Sequence, residues 1–407
     1  MRRLWIISIL LVINLLLSGC GNRTELNELG ITSATGMDKK GGKWIVTYQV
    51  IIPSAMTFGA GGSSGGGGSQ SAVHTFSTEG STIREAVDVS NLENPRKLYF
   101  AHNNIVFIGK QAAEEGIADI LDTYFAISEA RETVKIIIAD GEARDLLEML
   151  VPPEKIPGHA LTQILVKDDQ LGSFFPSVSM FEVAMNITSE SGAVGIPEIS
   201  VVGTDGEKLK SNDIFTQTST KSKLKLSGLS VFKGDKRVSS LNRKESLGVT
   251  WLNNKMEKST ISFKDEPSAK GLEAYTAFRI LHSKVKSTPV KGSSHYTLKV
   301  KAEVSGEMVE ASNKKNLTNS KGIDKLEYQI EKIIESQILD GWNSVQKEKT
   351  DLINIGNKIH RIYPKDWKKI KNTWPDDMAK MDIIVEVKAE IKRPGLFQNS
   401  YKKLLGP

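Results

Sequence analysis

One cysteine in 407 residues, Cys20, constrains this chain more than any other feature. A lone thiol forms no internal disulfide, so the fold must be held by buried apolar surface, and the thiol itself needs a reason to be there. Its position supplies one. Met1-Arg2-Arg3 precedes a largely apolar run from Leu4 to Leu17, which ends in Leu17-Ser18-Gly19-Cys20. That is the charged, apolar, small order of a secretory signal. The run is broken by Asn14 and is shorter than the ~20 apolar residues an uncleaved helix needs to cross a ~30 Å hydrocarbon core. Residues 1–19 are therefore expected to be a cleaved signal peptide.

Leu-Ser-Gly-Cys resembles the bacterial lipobox, in which the cysteine thiol is alkylated with diacylglycerol before cleavage. Cys20 is accordingly the expected lipid-attachment residue. The alternative, an ordinary signal beside a stray buried cysteine, leaves its placement unexplained. Each buried methylene contributes about 0.8 kcal/mol and a single chain anchors only marginally, so two or three acyl chains give stable attachment. No later segment has the length of a span; the apolar run from Val134 to Ala139 is strand-sized. The mature chain is expected on a membrane surface rather than across it.

The remaining length suits two or three domains at the usual ~100–200 residues each. The formal charge of +6 includes Arg2 and Arg3. It is too mild to imply nucleic acid and compatible with weak attraction to anionic headgroups.

Lys43 to Pro53 alternates, with Trp44, Val46, Tyr48, Val50 and Ile52 on one face, and predicts a strand. The glycine-rich stretch 59–69 has nothing to bury and reads as a slack loop. A phosphate-cradling loop would need Lys-Ser, Lys-Thr or GxGxxG opening a helix, and none follows. Val73 to Phe76 predicts a short strand, and Thr82 with Glu85 gives a capping-box start for a helix. Asn104–Ile108 and Thr133–Ala139 predict buried strands, Gln111–Phe125 a helix between them, and Glu142–Leu150 a short helix stopped by Pro152-Pro153. A polar stretch to about Lys223 reads as a boundary or an exposed hairpin, followed by a strand over Leu226–Phe232 and a turn at Lys233–Lys236. Tyr296 to Val304 and Met381 to Ile391 alternate cleanly. Gly322 to Lys347 carries Ile323, Leu326, Ile330, Ile333, Ile334, Trp342 and Val345 at helical spacing. The expected fold class is α+β in three mixed α/β domains, the last an antiparallel sheet packed by that long amphipathic helix. The boundaries read as 20–203, with the loop inside it, a small middle domain over 204–264, a C-terminal domain over 265–396 and a tail over 397–407.

The search for chemistry is sparse in result. The one cysteine is the anchor and no Gly-x-Ser-x-Gly elbow occurs, so a covalent hydrolase has no support. The six histidines, at 74, 102, 159, 282, 295 and 360, show no metal-ligand spacing. The block Arg96 to His102 mixes basic and aromatic residues but reads more simply as a loop entering a strand. Trp367 and Trp374 near Tyr363 suit either a recognition surface or helix-to-core anchors, and the spacing favours anchors. Glu25 and Glu28, or Asp376 and Asp377, offer acid pairs with nothing to shift their ionisation. No catalytic residue, cofactor or metal is expected, and the chain is read as a non-enzyme.

Several blocks together resemble the Ger(x)C lipoproteins, the C subunits of bacterial spore germinant receptors. They are Cys20 with Arg23 to Ile31, the strand with its glycine-rich loop, Pro95 to His102, Ile137 to Gly141 with Ala143 to Leu147, Leu226 to Lys233, and Trp251 to Lys255. Asp351-Leu352-Ile353-Asn354-Ile355-Gly356 and Tyr363-Pro364-Lys365-Asp366-Trp367-Lys368 complete the set. Many members carry Trp-Asp after the lipidated cysteine, where this chain has Gly21-Asn22, a departure that touches only the tether. The resemblance implies a three-domain mixed α/β protein on the outer face of the inner spore membrane, working with a polytopic A subunit and a transporter-like B subunit to start germination. The resemblance favours the B subunit over this chain for nutrient contact without settling this chain's own part, which is read here as an assembly or signal-relay role. The main rival is the solute-binding lipoprotein of an importer, which would call for two doubly wound lobes and an apolar cleft. An extracytoplasmic hydrolase would need acids or histidines brought together by the fold.

Overall fold

The computed structural model describes Trp5 and residues 28–53, 71–127, 129–264, 275–311 and 320–393. Cys20 and nearly all of the signal segment, the glycine-rich stretch 59–69 and the tail 397–407 lie outside the described residues.

The first half of the chain builds a nine-stranded sheet. Strands β1 (Leu29–Lys40) and β2 (Lys43–Ile51) form a hairpin whose two loop residues, Gly41 and Gly42, have φ of +58° and +79°. A two-residue turn with both φ positive follows the strand twist, and glycine adopts it without a Cβ penalty. β3 (Val73–Gly80) pairs with β2. Helix α1 (Ile83–Glu93) then starts where expected: the Thr82 hydroxyl accepts from the Glu85 amide at 3.1 Å, and the Glu85 carboxylate accepts from the Ser81 amide at 2.7 Å. The short β4 (Lys97–Tyr99) lies parallel beside β1.

Next come β5 (Ile105–Gly109), α2 (Lys110–Glu115), α3 (Ala118–Ala126), β6 (Lys135–Ala139), α4 (Ala143–Leu147), α5 (Pro157–Leu171), α6 (Met180–Ile187) and β7 (Ala193–Gly203). β8 (Ser222–Lys233) and β9 (Lys236–Leu241) finish the sheet, in the order β3-β2-β1-β5-β6-β7-β8-β9. Its centre, β1-β5-β6-β7, is parallel, with antiparallel strands on either flank. Helices cover both faces of the centre: α2, α3 and α6 pack over Val106, Ile108, Ile136 and Ile138, and α4 and α5 over Ile105, Phe107 and Ile137. Burial on both faces gives β6 its unbroken apolar run. The helix predicted over Gln111–Phe125 is two helices, divided at Gly116, whose φ of +132° ends the first.

Helix α7 (Arg243–Leu252) leads to a second sheet of four strands, β10 (Thr260–Lys264), β11 (Tyr275–Lys291), β12 (Tyr296–Ala311) and β13 (Asp382–Arg393), in that order. The first three are antiparallel as expected, while β13 joins β12 in parallel. Between those two strands runs α8 (Ser320–Glu348), and a strand–helix–strand crossover brings the chain back in the same direction. α8 buries Leu326, Ile330, Ile334, Ile338, Trp342 and Val345, all in one core cluster with Leu298, Val300, Ala302 and Val304 of β12. It also crosses α7 at a pair of glycines: a Cβ on Gly248 would run into the Gly341 amide nitrogen, and one on Gly341 into the Gly248 carbonyl carbon. Trp251 Nε1 donates to Gln337 Oε1 at 2.8 Å beside that crossing.

Residues 204–264, expected as a small middle domain, supply β8 and β9 to the large sheet, α7 to the α8 packing and β10 to the small sheet. The polar stretch read as a boundary or hairpin forms two 3₁₀ turns, Gly206–Lys210 and Asn212–Thr216, anchored by buried Leu209 and Ile214. One core cluster runs from Ala34 and Phe107 through Leu229, Trp251 and Phe278 to Ile391 and so joins the two sheets.

Candidate functional site

Three short helices follow α8: α9 (Ile355–Ile362), α10 (Pro364–Ile370) and α11 (Trp374–Ala379). They carry the two C-terminal motif blocks and meet the loop 188–192 between α6 and β7, more than 150 residues earlier in the chain. Asp351, 2% exposed, lies at the centre. Its Oδ1 accepts from the Ile355 amide at 2.9 Å, and its Oδ2 from the Gly356 amide at 2.6 Å, the Ser191 hydroxyl at 2.7 Å and Trp374 Nε1 at 3.1 Å. The carboxylate sits where the first amides of α9 point, which is where a negative charge is stabilised. Gly356 has no room for a side chain, since a Cβ would lie 2.8 Å from the Trp367 ring.

A second carboxylate, Glu190, reaches from the loop into the same helices. Trp367 Nε1 donates to its Oε2 at 2.9 Å, and His360 Nδ1 lies 3.1 Å from its Oε1. The His360 and Trp367 rings stack at 6.2 Å, and Trp367 meets Trp374 edge-on at 5.4 Å. Asparagines close the seam: Asn357 donates from its amide to Ser191 Oγ at 3.3 Å and from Nδ2 to Ser189 Oγ at 3.1 Å, and Asn354 Nδ2 donates to Asn186 Oδ1 at 3.2 Å. Asn354 holds φ of +57°, a left-handed conformation that asparagine tolerates better than most residues. Lys358 lies on α9, and burial pushes its ammonium below the ordinary lysine value, with Asp351 pulling the other way and Arg361 adding to the depression. Asp351 spends its oxygens on four donors, so the arrangement is built to hold two segments together rather than to move a proton.

Trp367 and Trp374 are 2% and 3% exposed and act as core anchors. In the block Arg96 to His102, Leu98 and Phe100 are buried, Lys97 pairs with Glu129 at 3.6 Å, and the Tyr99 carbonyl accepts from Thr32 Oγ1 at 2.9 Å. The expected loop is in part a strand: Lys97–Tyr99 forms β4 beside β1 before the chain reaches β5. Asp376 pairs with Lys349 at 2.6 Å, and Asp377 accepts from Thr373 Oγ1 at 2.6 Å. Among the described residues no group of three or more His, Cys, Asp or Glu is placed to hold a metal ion. Cys20, the proposed lipid site, is outside the described residues.

Two further charged clusters also close on themselves. At the carboxyl ends of β1, β5 and β6 a cleft is lined by Asp38, Lys40, Lys110 and Glu142. Asp38 accepts from the Ala143 and Arg144 amides at 2.7 and 3.0 Å, and burial raises its carboxyl above the usual range. Lys40 is held by Glu142 at 3.3 Å and Lys110 by Asp140 at 3.2 Å. On β7, Glu198 takes Arg237 Nη2 at 2.8 Å and Ser240 Oγ at 2.6 Å as well as the Ser230 hydroxyl, and Arg237 reaches on to Glu114 at 3.0 Å. Sequence reasoning missed Glu190, Ser191 and Asn357 in the seam. Their only local signal is that Asp351 and Gly356 lie in a block that resembles a family pattern.

Comparison with known proteins places these motifs in context. Residues 22–201 match the spore germination protein N-terminal domain, and residues 227–395 match the spore germination B3/GerAC-like C-terminal domain. Spore germination protein KC of Bacillus subtilis (strain 168) is 30% identical over 410 residues, covering 99% of this chain and 98% of its own length. GerQC of Bacillus cereus, also a spore germination protein, is 21% identical across 96% of this chain and 99% of its own. The crystal structure of the GerBC protein has the same fold, with a TM-score of 0.54 at 18% identity over 88% of this chain and 96% of that one. The chain thus belongs to the GerAC-like family of spore germination proteins, the Ger(x)C family that its motif blocks resemble.

Proposed function

We propose that this chain is the lipid-anchored C subunit of a spore germinant receptor, a non-catalytic module that assembles with membrane A and B subunits and relays the signal that starts germination. Lipid on Cys20 would hold it to the outer face of the inner spore membrane. The observation that carries the reading is that family likeness runs through both halves in order, 22–201 and 227–395, directly behind a lipobox-like cysteine. Two structural features support it. Asp351, Asn354 and Trp367 of the C-terminal motif blocks hydrogen-bond to Ser191, Asn186 and Glu190 and so tie the two halves together, which suits a rigid coupling element. Among the described residues no helix is long and apolar enough to cross a membrane, which is compatible with attachment through lipid.

Tethering to the same membrane would raise the effective concentration of this subunit next to its partners, so weak surface contacts suffice for assembly. The test is co-purification of the full chain from spore membranes, with mass spectrometry of what accompanies it. Receptor A and B subunits are the expected companions. An importer's permease in their place would overturn the reading in favour of a solute-binding protein.

A further inference from the structure

β13 ends the order β10-β11-β12-β13, so among the described residues no strand pairs with its outer edge. The direction of its backbone is fixed by two hydrogen bonds: the Ala389 amide donates to Glu331 Oε1 at 3.0 Å and the Ile391 amide to Glu327 Oε1 at 2.8 Å. Both acids come from α8, so the odd-numbered residues turn their N–H and C=O groups away from β12. The period of two gives Ile383, Val385 and Val387 the same outward direction. Glu327 and Glu331 cover one end of the edge. At the other end Gln346 Nε2 lies within 2.8–3.3 Å of the carbonyls of Met378, Ala379 and Met381. Between these side-chain caps, the outward groups of Ile383, Val385 and Val387 bond to no side chain among the described residues.

We propose that this open stretch pairs antiparallel with the β13 of a second copy of the chain, about a two-fold axis at Val385, making one continuous sheet from two. That register sets Val385 against Val385 and Ile383 against Val387 of the copy, and so uses the open residues and leaves the Glu327 and Glu331 caps in place. On the outer face, where Asp382, Ile384, Glu386, Lys388 and Glu390 are all exposed, it sets Asp382 opposite Lys388 twice over. Beyond these, Lys380 faces Glu390. Asp382 already accepts His295 at 2.7 Å and Glu386 holds Lys301 at 3.0 Å within the chain, so Lys388 is the cation presented to the copy. Ile384, 54% exposed on an otherwise charged face, lies diagonally across the axis from its counterpart, about 7–8 Å away and within reach of a long side chain. Parallel pairing of the same two edges would turn the copy's sheet over, putting Asp382 and Lys388 of the two copies on opposite faces and losing this charge pairing. The charge pattern therefore selects the antiparallel arrangement, which also closes as a dimer. This inference is independent of the receptor reading.

The test is cysteine cross-linking of the full chain in membranes. Ile384 and Glu386 of the copy form a non-hydrogen-bonded pair, with Cα atoms about 4.5 Å apart, within disulfide range. An Ile384→Cys/Glu386→Cys variant should give a covalent dimer under mild oxidation. The unaltered chain, whose one cysteine is Cys20, and a Lys388→Cys/Glu390→Cys variant, whose residues are far out of register, should not. Adding Lys388→Glu to the cross-linking pair should cut dimer yield about tenfold, and Asp382→Lys together with Lys388→Glu should restore it, which separates pairing from misfolding. No dimer from the 384/386 pair in folded protein, equal yield from the 388/390 pair, or a cross-link to a different protein at these positions would overturn the proposal.

Discussion

Asp351 gathers four donors from three separate parts of the chain, the amides of Ile355 and Gly356, the Ser191 hydroxyl and the Trp374 indole. Asp351→Ala leaves those buried donors without an acceptor, and a buried donor left unmade costs about 1–3 kcal/mol. Partial relaxation keeps the total below the sum, and we expect a loss of about 3–5 kcal/mol in urea unfolding, with Asp351→Asn losing less. A loss under about 1 kcal/mol would mean that the seam is held elsewhere. Lys358 supplies a pH dependence. Burial lowers its folded-state value below 10.5, so between the lowered value and 10.5 the unfolded chain binds a proton that the native one does not, and stability rises with pH across that window. Below it, at neutral pH, the full cost of burying the ammonium is present. Lys358→Met should therefore raise the urea midpoint at pH 7 by more than it does at pH 10; an equal gain at both would remove the charge explanation. Asp351 was not singled out by composition or spacing, because its partners Ser191 and Trp374 are remote in sequence.

Helices and strands whose one face meets water were legible. The alternation in β12 and β13 and the helical spacing in α8 predicted those elements, although β12 runs on to Ala311, past the expected Val304; β2 alternates in sequence even though Thr47 and Gln49 bury its second face. β1 was not predicted: both faces are covered, so it does not alternate, and its residues are small because helices press on it. A Cβ on Gly36 would lie 2.7 Å from Leu147 of α4, and one on Gly158 of α5 would lie 2.7 Å from Ala34. The parallel placement of β13 was likewise not readable, since alternation reports which face is wet and not which way the neighbour runs. The α7–α8 crossing gives the prediction at this scale. At an exposed helical site Gly→Ala gains about 1 kcal/mol, but Gly341→Ala pushes a methyl against the α7 backbone and should instead cost about 1–3 kcal/mol. A thermal melt that moves upward would show that the helices can separate freely.

Across the whole molecule, the two sheets share a core through Trp251, Phe278 and Leu229, and the segment read as a separate middle domain is shared between them. Anchoring belongs to this scale as well. Cys20→Ala should move the protein from membrane to soluble fractions, and a variant that still pellets with membranes would exclude lipid as the anchor. The family likeness was visible in the blocks from Pro95 to His102 and from Asp351 to Lys368 before any fold was known. What those blocks do was not. By itself the sequence determined the α+β class, the long helix on an alternating sheet and the lipobox-like cysteine, because periodicity and short motifs are local properties of the chain. Only the tertiary structure decided that Asp351 and Glu190 lock the two halves together, that residues 204–264 divide between two sheets, and that β13 is the last strand of its sheet among the described residues. Each of these depends on which remote segments meet, and that is set by global packing rather than by local pattern.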